Sequence, residues 1–224
     1  MAPDTGRLGR GRRPLVYQGQ ELRCSWRFEE EARAEGRARV AGCDEVGRGA
    51  LCGPVVAAAV VLGDGFDTGG LDDSKRLTER QRESLDARIR ASARAWALGC
   101  AEPREIDRLN ILRATYLAMQ RAVTALSEAP DLLLVDALSV PDLPLLQRAV
   151  VKGDALSFSI AAASIVAKVA RDAMMRVWDE RYPGYGLAHN MGYASEDHRE
   201  AIRRMGPSDI HRRSFHGTQR WLFC

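Results

Sequence analysis

The sequence predicts an α/β fold: five strands in one sheet, helices packed on it, and a helical C-terminal part. Three observations carry that prediction. Short, nearly continuous apolar runs occupy residues 39–44, 54–62, 93–100, 131–136 and 149–151, as buried strands do. Apolar residues recur at helical spacing over 103–126, and an Ala-rich, largely apolar stretch opens 157–181. Acids follow three of the strand-like runs: Asp44-Glu45, Asp136 and Asp154. Open α/β sheets place their ligands at such carboxyl ends.

The bulk numbers narrow the class without naming a function. A chain of 224 residues, 46% of them hydrophobic, fits one domain with a substantial core and a small appendage. The net charge is only +3, so any case for nucleic acid rests on where the charges sit. The longest apolar runs, 55–62 and 160–167, are too short to span a bilayer. The N-terminus has arginines but no apolar segment of a secretion signal. Five cysteines, widely spaced and without C-x-x-C, argue against a disulfide framework and for a reducing cytoplasm. Four histidines without H-x-x-x-H pairing disfavour zinc and read as structural. A monomer is the default expectation.

In chain order, residues 1–13 hold Gly, Pro, Asp and arginines and predict a flexible basic arm. Residues 21–37, rich in Glu, Ala and Arg, predict a lead-in helix. The division is thus an arm with lead-in helix over 1–36 and one main domain over 37–224, whose helical C-terminal part begins near 183. The first strand ends at Asp44, and Gly63-Asp64-Gly65 closes the second. Thr78 and Gln81 form a capping box for a helix ending near Ala91. After the third strand, Pro103 and Glu105 open one long helix carrying Ile106, Leu109, Leu112, Tyr116, Val123 and Leu126. The strand over 131–136 ends in Asp136, and Pro141 and Pro144 break the loop beyond it. The last strand, 149–151, is ended by Lys152-Gly153-Asp154. A helix over 157–181 should bury its first half. Pro183-Gly184-Tyr185-Gly186 is a turn. Ser195 caps a final helix with Glu196 and Asp197 in its first turn, Arg203 and Arg204 in its last, and Gly206-Pro207 to stop it.

The chemistry concentrates at Asp44-Glu45-Val46-Gly47-Arg48-Gly49. Adjacent carboxylates repel, and a cation or shared proton relieves them. Mg²⁺ or Mn²⁺ suits oxygen ligands. If the strands of Asp44 and Asp136 are parallel neighbours, their ends lie about 5 Å apart, close enough to share a metal. Two ions could then clamp an in-line phosphoryl displacement. Consecutive strand residues face opposite ways, so Asp44 and Glu45 share a site only if the strand ends or bulges there. The glycines at 47 and 49 would let backbone approach a ligand. Among the 33 Lys and Arg, only Lys75, Lys152 and Lys168 are Lys, a pattern that suggests sites needing a compact ammonium near phosphate or carboxylate. Ser164 and Lys168 lie one helical turn apart. Arg212 and Arg213 could contact phosphate. The run Gly47-x-Gly49-x-x-Cys52 lacks the third glycine of a dinucleotide fingerprint, and a strand follows it, so that reading is rejected.

Seven stretches resemble the bacterial ribonuclease HII (type 2 ribonuclease H) family. They are Asp44-Glu45-Val46-Gly47-Arg48-Gly49, Gly53-Pro54-Val55-Val56-Ala57, Asp73-Ser74-Lys75-Arg76-Leu77, Asn110-Ile111-Leu112-Arg113-Ala114-Thr115, Lys152-Gly153-Asp154, the run from Ala162 to Asp172, and Ile210-His211-Arg212-Arg213-Ser214-Phe215. The resemblance implies an RNase H-like mixed sheet flanked by helices, with a helical C-terminal extension. It implies endonucleolytic cleavage of RNA in RNA–DNA hybrids and at single ribonucleotides in duplex DNA, giving 3′-hydroxyl and 5′-phosphate ends, with Mg²⁺ or Mn²⁺. By position, Asp44, Glu45, Asp136 and Asp154 match the catalytic, metal-binding acids. Gly47, Arg48 and Gly49 match the loop that reads the ribose 2′-hydroxyl, and Tyr193 the tyrosine that packs on the adjoining deoxyribose. Lys75, Ser164, Lys168, Arg212 and Arg213 complete the expected substrate contacts. The chain departs from the family where Ala137 replaces a frequent Gly and Met191 a common Lys. The alternatives are a resolvase- or transposase-like nuclease of the same fold, or an inactive junction-binding module. Gln219-x-x-Leu222-Phe223 is similar to the peptide by which bacterial proteins bind the sliding clamp, but so short a match favours an apolar end packing back on the domain, with clamp binding as the alternative.

Overall fold

The computed structural model describes residues 15–17 and 20–218. The basic arm expected at 1–13 and the clamp-like segment at 219–223 lie outside them. A two-stranded hairpin, β1 (Leu15–Tyr17) and β2 (Gln20–Leu22), precedes helix α1 (Arg27–Ala34). The lead-in helix expected from residue 21 therefore starts six residues later, because Glu21 and Leu22 pair in the hairpin. Helix α1 packs on the main body: Ala32 is buried beside Val40, Leu132 and Ile160.

The main sheet contains β3 (Val40–Val46), β4 (Val55–Val61), β5 (Ala95–Ala101), β6 (Leu132–Asp136) and β7 (Gln147–Val150), in the order β5-β4-β3-β6-β7. β3–β4 and β4–β5 pair antiparallel, whereas β6 pairs parallel with β3 and β7 parallel with β6. The sheet is mixed, as expected. Every residue of β4 is buried, which explains its uninterrupted Val and Ala.

Helices cover both faces. Helix α2 (Glu79–Ser92) begins with the expected Thr78–Gln81 capping box. The single long helix expected after Pro103 is two, α3 (Pro103–Leu109) and α4 (Ile111–Thr124). Asn110 breaks it with φ +73°, and its side chain accepts the Arg113 N–H to cap α4. Helix α4 packs Ala114, Ala118, Met119 and Ala122 on one face of the sheet. Helix α5 (Phe158–Arg181) packs Ala161, Ala162, Ile165 and Val166 on the other, with α2 beside it. The fit is close: a Cβ on Gly42 would stand 2.0 Å from the Ser159 carbonyl carbon. A glycine in mid-strand thus lets the helix backbone touch the sheet.

The C-terminal part contains α6 (Leu187–Asn190), absent from the sequence reading, and α7 (Glu196–Met205), capped by Ser195 as expected. Leu187, Ile202 and Ile210 form a small core with Met175 of α5 and with Leu51 and Cys52 of the loop after β3. Among the described residues, no helix is long and apolar enough to cross a membrane.

Candidate active site

Parallel register sets the first two acids side by side. Cys43 pairs with Val135, and the next position in each strand is Asp44 and Asp136. β3 does not end or bulge at its acids, contrary to the sequence expectation. It runs on to Val46, pairing Asp44 with Ala58 and Glu45 with Ala57. Those alanines belong to the cores on opposite faces of the sheet, so Asp44 and Glu45 also face opposite ways. Both nevertheless line one cleft of about 460 Å³. The parallel pairing of β3 with β6 stops at Cys43. Beyond it, among the described residues, β3 is paired only with β4, as far as Val46.

Asp154 is not carried by a strand end. β7 finishes at Val150, and Asp154 lies in a 3₁₀ turn, Gly153–Ala155, entered through Lys152 in a left-handed conformation. The turn is tied to β6, since Gly153 N–H donates to Asp136 Oδ1 at 2.8 Å. Lys75 Nζ donates to Asp154 Oδ2 at 2.8 Å. Arg48 Nη1 donates to Glu45 Oε1 at 3.1 Å.

Burial, with Glu45 and Asp136 close by, pushes the Asp44 carboxyl well above the usual carboxylate range. Burial and Asp154 raise Asp136 to about 6. Among the described residues, the four carboxylates share two contacting side-chain cations, Arg48 and Lys75. A site short of positive charge and rich in carboxylate oxygen fits a hard divalent cation. No three of the four acids lie within 4.8 Å of one another; among the described residues that grouping occurs only for Cys52, His198 and His211.

The cleft is lined by Gly47, Arg48, Gly49, Lys75, Ser164, Lys168 and Tyr193, as well as by Ser74 and Arg82, which the sequence did not single out. Ser74 Oγ and Ser164 Oγ are 2.9 Å apart. Lys168 Nζ donates to Asp172 Oδ1 at 2.8 Å, supplying the partner a half-buried ammonium needs. Arg212 corrects an expectation. It is fully buried, and its guanidinium donates to the carbonyls of Gly53, Arg48 and Gly47 at 2.9, 2.8 and 2.7 Å. It holds the Gly-Arg-Gly turn from behind and is not presented to phosphate. Arg213 is exposed, but away from the cleft lining, and its N–H donates to Asp107.

A second buried cation, Arg171, was missed. It donates to the carbonyls of Pro54, Met191 and Cys52 at 3.1, 2.9 and 3.2 Å. Its guanidinium lies 5.4 Å from the centre of the Tyr193 ring, a cation–π distance. Arg171 follows Ser164 and Lys168 at i+7 and i+3, one face of α5, and that spacing was the available signal. Gly47 has φ +90°, and a Cβ there would stand 2.2 Å from Arg171 Nε. The glycine is therefore required by the arginine beneath it. Burial lowers both guanidinium pKa values, that of Arg212 to about 9 with Arg171 adding repulsion. Ala137, where the related family often has Gly, sits at φ +55°, a conformation glycine adopts more easily.

A mixed sheet flanked by helices, with carboxylates gathered where its antiparallel and parallel halves meet, defines the ribonuclease H class of nucleases. The same fold occurs in ribonuclease H2 of Pyrococcus horikoshii, with TM-score 0.67 and 28% identity over 80% of this chain and 95% of that one. It occurs also in the ribonuclease HII of Archaeoglobus fulgidus, solved in complex with PCNA, with TM-score 0.65 and 26% identity over 82% and 98%. The family model for ribonuclease HII matches residues 41–218. Ribonuclease HII of Geobacter sulfurreducens is 51% identical over 197 residues, 88% of this chain and 91% of the relative. The chain belongs to the ribonuclease HII family and is a ribonuclease H, a hydrolase that cuts phosphodiester bonds as an endoribonuclease.

Proposed function

We propose that the protein cuts the RNA strand of RNA–DNA hybrids, and duplex DNA at single embedded ribonucleotides, with Asp44, Glu45, Asp136 and Asp154 holding Mg²⁺ or Mn²⁺. The observation that carries this reading is the shared cleft: Asp44, Glu45 and Asp136 line it together with the turn 47–49 and Tyr193. Two bound ions would supply Lewis-acid stabilisation of the attacking and leaving oxygens and leave 3′-hydroxyl and 5′-phosphate ends. The turn reads the ribose through its backbone and Arg48, because the 2′-hydroxyl is what separates RNA from DNA at a site. Tyr193, exposed at the cleft wall, packs on the adjoining deoxyribose, where no hydroxyl intervenes. Lys75, Lys168 and Ser164 face the phosphates. The protein acts as a monomer in the cytoplasm, and Gln219–Phe223 is the segment through which a sliding clamp would be bound. The Archaeoglobus fulgidus relative, captured with PCNA, supports a clamp partner in kind.

The test uses three duplexes, all-DNA, DNA with one ribonucleotide, and an RNA–DNA hybrid, in Mg²⁺ and in Mn²⁺, with Asp44→Asn alongside. Expected is a metal-dependent cut at the lone ribonucleotide and in the hybrid, absent from all-DNA and from the variant. Cleavage of all-DNA, or full activity in Asp44→Asn, would overturn the assignment.

A further inference from the structure

His198 and His211 meet behind Tyr193. His198 Nδ1 lies 2.8 Å from the Tyr193 carbonyl oxygen and donates to it. His198 Nε2 lies 3.1 Å from His211 Nε2. His211 Nδ1 accepts the Ser208 backbone N–H at 3.0 Å, with the Ser208 hydroxyl 2.8 Å away. A neutral His211 must then carry its proton on Nε2 and give it to His198. Each tautomer is fixed by the bond the other nitrogen makes. The chain runs one way, from Ser208 through two buried imidazoles to the backbone of Tyr193. Tyr185 packs its ring against both.

The ligand atoms of Cys52, His198 and His211 lie within 4.8 Å of one another, a set with metal-binding chemistry. The hydrogen bonds argue against a metal there. Both Nε2 atoms are spent on each other, and a shared ion would require His211 to abandon Ser208 or lose both protons. Arg171 also donates to the Cys52 carbonyl, so the neighbourhood is already cationic. The cluster is complete without an ion.

One segment reaches both halves of the cleft. Arg212 holds the carbonyls of Gly47 and Arg48. His211, its neighbour, bridges to Cys52 and reaches Tyr193 through His198. We infer that the Ser208–His211–His198 chain is a positioning device that fixes Tyr193 relative to the Gly-Arg-Gly turn and so sets recognition of the RNA–DNA junction. His198 and His211 are positioning residues, since neither touches the cleft. The inference rests on the reading of Tyr193 as the platform for the deoxyribose.

The test measures kcat/KM on a duplex with one ribonucleotide and on a continuous RNA–DNA hybrid, and takes their ratio. Parent, Tyr193→Ala, His198→Leu, His198→Asn, His211→Asn and the double variant His198→Leu/Tyr193→Ala are compared. The Tyr193 carbonyl also accepts the Ser195 N–H at 2.8 Å. Leu at 198 removes its side-chain donor and leaves that backbone one, whereas Asn at 198 keeps a side-chain donor. The expected result is an about five- to tenfold lower ratio in His198→Leu, carried by KM. His198→Asn should recover most of it, and the double variant should be no worse than Tyr193→Ala. His211→Asn should lower the ratio too, and it carries the test should His198→Leu fold poorly. A merely structural role would depress both substrates together and leave the ratio unchanged, overturning the inference. A lowered ratio in Tyr193→Ala with an unchanged one in both histidine variants removes the chain alone. An unchanged ratio in Tyr193→Ala removes the deoxyribose reading, and the inference with it. One zinc per chain in the purified protein, lost in His198→Asn, would assign the cluster to a metal instead.

Discussion

Asp136 titrates where its charge matters. Burial and Asp154 raise it from 3.8 to about 6. A raised carboxyl pKa means that the folded state prefers the neutral form. The stability this group contributes is therefore full below 3.8 and is lost as pH rises through about 6. Metal-free protein at pH 8 carries that repulsion unrelieved. Asp136→Asn keeps the oxygen that accepts the Gly153 N–H and removes the charge. We expect the metal-free variant to be more stable than the parent at pH 8 by about 1–2 kcal/mol, after discount for its partial exposure, and indistinguishable at pH 4. Mg²⁺ should raise the melting temperature of the parent far more than that of the variant. Calorimetry at the two pH values decides it, and equal melting temperatures at pH 8 would sink the account. This carboxylate was legible in the sequence because an acid ending an apolar run is a local signal. The raised pKa was not, because it depends on Asp154, which lies 18 positions on and arrives through a 3₁₀ turn. Arg212 shows the opposite case. A basic run reads as a solvated or phosphate-binding surface, yet its first arginine is buried against three backbone carbonyls.

At the scale of elements, two glycines in and beside β3 separate folding from recognition. Gly42 sits where α5 touches the sheet, and an added Cβ would meet Ser159 backbone at 2.0 Å. A Cβ added to Gly49 would meet no other atom within 4 Å, and Gly49 has no left-handed φ. Gly42→Ala should destabilise the protein by more than about 3 kcal/mol or prevent folding, because neither backbone can yield. Gly49→Ala should melt with the parent and yet lose about tenfold in kcat/KM on ribonucleotide substrates, because its open side is where the ribose must come close. Chemical denaturation and steady-state kinetics on the same two proteins settle both, and a stable Gly42→Ala or a fully active Gly49→Ala would refute its half. Element boundaries were legible where they are chemically local. Thr78 with Gln81 and Ser195 with its acidic first turn mark helix starts by hydrogen bonds among near neighbours. The break at Asn110 was hidden because the apolar spacing continues across it, and only one left-handed residue interrupts it. The overrun of β3 past its acids was hidden for a different reason. It is held by pairing with β4, and the length of the partner strand decides it.

Over the whole molecule, the C-terminal segment completes a site that the sheet only begins. Arg212 reaches back about 160 positions to Gly47, Arg48 and Gly53, and its own N–H donates to the Leu51 carbonyl. Such long-range contacts leave no periodicity to read, which is why the support of the turn was invisible before the fold. They also bear on the six residues beyond position 218. Thr218, the last described residue, is buried, and its hydroxyl donates to the carbonyls of Arg212 and Phe215. The strap behind the active site is thus anchored up to Thr218 by its own contacts. Deleting 219–224 should then leave the melting temperature and the cleavage of short duplexes unchanged. If Gln219–Phe223 is a clamp peptide, the same deletion should abolish co-precipitation with the bacterial sliding clamp and slow cleavage on clamp-loaded DNA. If the whole contact lies in the deleted residues, the loss should be essentially complete. A melting temperature lowered by several degrees would mean instead that the end packs back on the domain. Unchanged co-precipitation would move the clamp contact to another surface. The three readouts separate anchoring, catalysis and recruitment in one variant.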